Sequence, residues 1–252
     1  MRLVIYIVFS LFVMVSPVRS AQINELTYLT EQYPPYNFEQ DGSLQGIAVD
    51  LLQAVGKQSQ SPITLPQIQL QPWPRAYRTT LIKPNTVLFS TTRTPLREHI
   101  FQWAGPISPT RIVVLAKRSR DIKINHAMAL AQYRIGVIRD DVGEQLLLEL
   151  GVPRDSMVES SVPDTLADQL TKERIDLWAY EENVAKWWIK KAGYDAEEYE
   201  VVYVLREGEL YFAFNLEVDR TLILHFQNAL NELKHVPESG TSLYQQILNK
   251  YR

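Results

Sequence analysis

Apolar residues recur along this chain in two rhythms, short unbroken runs and helical faces, and they alternate in the manner of an α/β protein. Residues 25–30, 68–71 and 86–89 are β-branched or apolar runs that predict strands. Residues 47–58 place Ile47, Leu51, Leu52 and Val55 on one helical face, and 74–82 predict a second helix with Pro74 in its first turn. Asp41-Gly42 is a turn signal. Strand, helix, strand, helix, strand implies a parallel sheet.

A second series follows. The apolar β run 112–116 ends in Lys117-Arg118 and leads into a strand at 134–138, helices at 143–150 and 165–172, a strand at 176–180 and a helix at 183–192. Residues 201–205 and 209–214 read as two strands separated by Glu207-Gly208, and 222–233 and 243–251 as closing helices that pack on the first series. The chain thus crosses out and back. It predicts a discontinuous first lobe, 21–109 with 208–252, and an inserted second lobe, 110–207, with hinges at 108–110 and 207–209.

The most apolar segment comes first. Arg2, the run 3–15, Pro17 and Val18-Arg19-Ser20 have the order of a secretory signal cleaved before Ala21, and the run is shorter than the roughly 20 residues of a membrane span. Losing residues 1–20 removes two arginines and no acid, so the net charge of −3 becomes −5, which argues against a nucleic-acid partner. With no cysteine there is no lipid-attachment site, disulfide or thiolate metal site. The expected location is the periplasm.

Candidate chemistry gathers where strands end. Ser90 and Thr92 are expected to leave the carboxyl end of the strand at 86–89, where ligands of open α/β sheets bind, and Arg97 follows one turn later. A guanidinium offers a planar fork of donors to a carboxylate, with the hydroxyls as neutral donors. The plainer readings are a surface Arg97 paired with Glu98 or Asp121 and hydroxyls that cap a turn. Tyr33 and Tyr36 follow the first strand, and Trp73 follows the second; their rings suit a ligand stem or an ammonium group, or else the core. His99, His126, His225 and His235 lack metal-ligand spacing, and no nucleophile-elbow, P-loop or zinc-protease motif is present. No cofactor is expected.

Four stretches carry a resemblance: Y-P-P-Y-N-F at 33–38, D-G-S-L-Q-G-I-A-V-D-L-L at 41–52, S-T-T-R-T-P-L-R with F-Q-W-A-G-P-I at 90–107, and R-I-D-L-W-A-Y-E-E at 174–182. In that order and spacing the chain resembles the family 3 extracellular solute-binding proteins. The resemblance implies a two-lobed periplasmic-binding-protein-like clamshell of type II, each lobe a mainly parallel sheet flanked by helices, closing on a ligand by hinge bending. It implies that Arg97, Ser90 and Thr92 hold an amino acid carboxylate, that Tyr33 covers the ligand with Trp73 opposite, and that Glu181 meets an ammonium from the second lobe. It also implies a monomer and a membrane permease of an ATP-driven importer as partner.

Two positions depart from the family pattern. Glu181 stands where aspartate is usual, and R-D-D-V-G at 139–143 replaces a glycine followed by small hydroxyl residues. Asp140 or Asp141 would then cap the next helix or select a cation on the ligand. The rival readings are a periplasmic dehydratase of cyclic carboxylates with Glu181 as general acid, and a receptor that docks on a membrane sensor.

Overall fold

In the computed structural model, residues 22–238 and 240–251 are described; the expected signal segment and its cleavage point lie outside them. In chain order the elements are β1 (Thr27–Thr30), β2 (Phe38–Gln40), β3 (Ser43–Gln45), α1 (Ile47–Gln58), β4 (Ile68–Leu70), α2 (Trp73–Ile82), β5 (Thr86–Thr92), β6 (Gln102–Lys117) and β7 (Ile135–Ile138). There follow α3 (Val142–Glu149), β8 (Met157–Ser160), α4 (Pro163–Thr171), β9 (Leu177–Glu181), α5 (Glu182–Lys191), β10 (Tyr199–Phe214), α6 (Arg220–Lys234) and α7 (Leu243–Lys250). Short 3₁₀ turns join several of them.

The expected α/β architecture is present. One mixed sheet runs in the order β4-β1-β5-β10-β6-β9-β7-β8. Strands β4, β1 and β5 are parallel at one end, and β8, β7 and β9 are parallel at the other. Between them β6 and β10 are antiparallel to each other and to their outer neighbours. All seven residues of β5 are buried, as an interior strand covered on both faces requires.

Two expectations are corrected. Residues 201–214 do not form two strands: β10 is continuous, because Glu207 and Gly208 pair with Arg111 and Thr110 of β6 and have no turn to make. The segment 102–111, which carries Gly105, Pro106 and Pro109, belongs to β6; the ladder shifts register where Pro106 falls, and such an irregularity accommodates a residue with no N–H to donate. The residues expected at the two crossings sit opposite one another in mid-strand, Ser108 with Leu210 and Thr110 with Gly208.

The first helix illustrates how the site is anchored. Its apolar face, Ile47, Ala48, Leu51, Leu52 and Val55, is buried as the spacing predicts. Its first amides donate to the loop after β1, Ile47 to the Pro35 carbonyl at 3.1 Å and Ala48 to the Tyr36 carbonyl at 2.7 Å. These donors would otherwise be orphaned at a helix start. Gly46 makes this possible, since it has φ 126° and a Cβ there would run into the Tyr36 carbonyl.

Candidate functional site

Between the two parallel ends of the sheet, the loops after β1, β4 and β5 face the loops after β7, β8 and β9. Glu31 is the first residue beyond β1 and Trp73 opens α2; Asp140 and Asp141 follow β7, and Glu181 ends β9. Contacts across this cleft join the two halves. Trp73 donates its indole N–H to the Asp140 carbonyl at 3.0 Å, and Arg78 pairs with the Asp140 carboxylate at 2.8 Å on the exposed rim.

Arg97 lies at the centre and is 1% exposed. Each of its nitrogens already donates to a protein oxygen: Nε to Gln145 Oε1 at 2.9 Å, Nη1 to the Thr92 carbonyl at 3.3 Å and Nη2 to the Asp140 carbonyl at 3.4 Å. Its carbon lies over the rings of Trp73 and Tyr77, 5.1 and 5.2 Å from their centroids. The surface pairings considered for it go elsewhere: Glu98 binds Arg93 and Asp121 binds Lys123.

Ser90 and Thr92 lie within β5, which runs three residues further than the apolar pattern indicates. Ser90 adopts φ 58°, and its hydroxyl bonds to the Asn37 side-chain oxygen. The Asn37 amide donates in turn to the Glu31 carbonyl at 2.6 Å. Thr92 meets Arg97 through its backbone carbonyl.

A second cluster surrounds Glu181, which is fully buried. Its Oε2 accepts from the Val184 amide at 2.8 Å and caps α5, while Oε1 accepts from the Tyr36 hydroxyl at 3.1 Å and the Asn183 amide at 3.3 Å. Burial holds the carboxyl's pKa above its ordinary value, opposed in part by the Val184 amide, the Tyr36 hydroxyl and the backbone of Arg111 and Asn183. The Tyr33 ring is 5.6 Å from both Tyr36 and Tyr180. Trp73 stacks on Tyr77 instead. Arg75, two residues beyond Trp73, is exposed.

Asp141 occupies the position before α3 but makes no side-chain capping bond. One oxygen lies 3.8 Å from Arg97 Nη2, and the other is buried with no hydrogen-bond partner among the described residues. Burial pushes its pKa up to about 6 against the pull of Arg97.

The pattern-based reading missed Glu31, Tyr77 and Gln145. Glu31 is 6% exposed; burial first, then Asp141, raises its pKa well above the ordinary carboxylate value, and Arg97 opposes them. It lines a cavity of about 230 Å³ together with Gln32, Leu70, Gln71 and Pro72 on one side and 161–163 on the other. Its signal was present, an acid at the carboxyl end of an interior parallel strand. Gln145 lies four residues beyond Asp141, so its side chain shares the first turn of α3.

The fold is one mixed sheet with a cleft between its two parallel ends, lined by strand-end loops from both. Residues 26–251 match the bacterial extracellular solute-binding proteins, family 3, and the chain belongs to that family. A comparison with curated protein sequences finds no match. Among solved structures, a histidine kinase sensor domain similar to periplasmic binding proteins has a TM-score of 0.77 at 17% identity, covering 91% of this chain and 96% of that one. An ancestral arginine-binding protein has a TM-score of 0.72 at 18% identity, with 91% and 99% covered. The arginine-, lysine-, histidine-binding protein of Geobacillus stearothermophilus has a TM-score of 0.72 at 18% identity, with 90% and 94% covered.

Proposed function

We propose that the chain is a periplasmic receptor, monomeric and non-catalytic, that captures an amino acid or a derivative of one and delivers it to the permease of an ATP-driven importer. Its lobes are 21–109 with 208–252, and 110–207. The observation that carries the reading is the meeting of Arg97, Glu31 and Tyr36 from one lobe with Asp141 and Glu181 from the other, all buried. Enclosure of a ligand there excludes water and strengthens each polar contact. Tyr33, Tyr36, Trp73, Ser90, Thr92, Arg97, Asp141 and Glu181 form the ligand shell. A carboxylate-bearing ligand would bind at Arg97 by displacing Gln145 and Asp141 from it, whereas a derivative without a carboxylate leaves those contacts in place.

The dehydratase alternative draws less support, because both Glu181 oxygens already accept hydrogen bonds as a helix cap does. A membrane sensor as partner is the second reading, motivated by the sensor-domain neighbour. The test is thermal unfolding of protein stripped of carried-over ligand by denaturation and refolding, against amino acids, their amines and cyclic carboxylates. A ligand of the folded state raises the melting temperature by mass action. No shift with any amino acid or amine would remove the receptor reading, and capture by a sensor kinase in place of a permease would replace the importer.

A further inference from the structure

The charges in the cleft do not balance. Glu31, Asp141 and Glu181 are buried carboxyl groups, and among the described residues Arg97 is the only fully buried cationic side chain. Glu181 is provided for by its three donors. Asp141 has one oxygen without a partner, and Glu31 lines the inter-lobe cavity while the charge of Asp141 acts against it. Two buried carboxyls so placed can both ionise only with a cation beside them, since a buried charge without a counter-charge is costly. Every nitrogen of Arg97 already donates one hydrogen bond, so three of its five N–H groups are spent within the protein.

We infer that the ligand is a small organic amine that lacks a carboxylate, with its cationic group held between Glu31 and Asp141 and its stem in the cavity beside Gln71 and Pro72. Asp141 takes the place beside Arg97 that the carboxylate of an amino acid would need. An amino acid entering the same cleft would set its carboxylate against three acids and find most of the arginine's donors engaged. Specificity then arises from repulsion of the carboxylate as much as from attraction of the amine. The inference rests on the receptor reading and narrows its ligand class.

Matched pairs that differ by the carboxylate alone test it. Calorimetric titration of the stripped mature protein would compare agmatine with arginine and 1,4-diaminobutane with ornithine. At least one amine is expected to bind about tenfold or more tighter than its amino acid. Glu31→Gln and Asp141→Asn are each expected to weaken that amine by about tenfold or more while keeping a cooperative unfolding transition. If arginine or ornithine binds as tightly as its amine, or if Asp141→Asn leaves the amine's advantage over its amino acid unchanged, the inference fails and the receptor reading stands. If none of the four binds but another amino acid does, the outcome is the same. If nothing in the wider panel binds, both fail.

Discussion

Asp141 Oδ1 lies 3.8 Å from Arg97 Nη2, and both side chains are buried although they come from opposite sides of the cleft. The separation is longer than a charge-assisted hydrogen bond, so the arginine relieves only part of the cost of taking the carboxylate out of water. That incomplete pairing governs the behaviour expected of the unliganded protein.

The first consequence is a pH dependence. The Asp141 carboxyl titrates at about 6 in the folded chain, above its ordinary 3.8, so between those values the folded state holds the extra proton. Stability from this group is therefore full below pH about 4 and is lost as pH rises through about 6. Asp141→Asn removes the titration and should stabilise the unliganded protein at pH 7 by up to ~3 kcal/mol. Urea unfolding at pH 4 and pH 7 checks this, and the difference between the two proteins should shrink toward pH 4.

Arg97→Ala strips Asp141 and Glu31 of their one nearby cation and empties the space over Trp73 and Tyr77. The expected loss is about 3 kcal/mol of stability at pH 7, and less at pH 4 where the acids are neutral. Arg97→Lys should recover only part of it, because an ammonium cannot serve the Gln145, Thr92 and Asp140 oxygens with the fixed fork of a guanidinium. Chemical unfolding of the three proteins at both pH values decides the matter.

Trp73→Phe keeps an aromatic face toward Tyr77 but removes the indole donor to Asp140. The two sides of the cleft then lose one part-buried hydrogen bond, worth about 1 kcal/mol. Small-angle scattering of the unliganded variant should show a larger radius of gyration than the parent, and an unchanged radius would mean that this bond does not bias closure.

Glu181→Ala removes the cap of α5 and leaves the Tyr36 hydroxyl without its acceptor across the cleft. A loss of about 2 kcal/mol is expected, combining the cap with the loss of the shorter of the hydroxyl's two acceptor contacts, since only the Pro109 carbonyl at 3.4 Å remains to it. Glu181→Gln retains an acceptor oxygen for Val184 and should cost less than the alanine variant in the same unfolding assay.

Much of the architecture was legible in the pattern of residues. The helical face at 47–58 reappears as α1 to the residue, since its apolar spacing and the glycine before it are local signals. The run 102–111 was not legible as strand, because glycine and two prolines argue against it locally and only pairing with β10 makes an extended path the stable one. The segment 201–214 was divided for the matching reason, a glycine that suggests a turn where the partner strand supplies continuous hydrogen bonds.

Candidate chemistry divided in the same way. The residue types, the positions of Trp73, Asp141 and Glu181 at element ends and that of Arg97 in the turn after β5 follow from sequence, because strand and helix ends are set by neighbours along the chain. Which atoms face one another was decided by tertiary structure. Arg97 meets Gln145 and Asp140 across the cleft, Glu181 closes on its own helix, and Glu31 is carried into the centre of the site by sheet order. Partners far apart in sequence leave no periodic trace, while burial and charge, which set their chemistry, exist only once the two halves of the sheet are brought together.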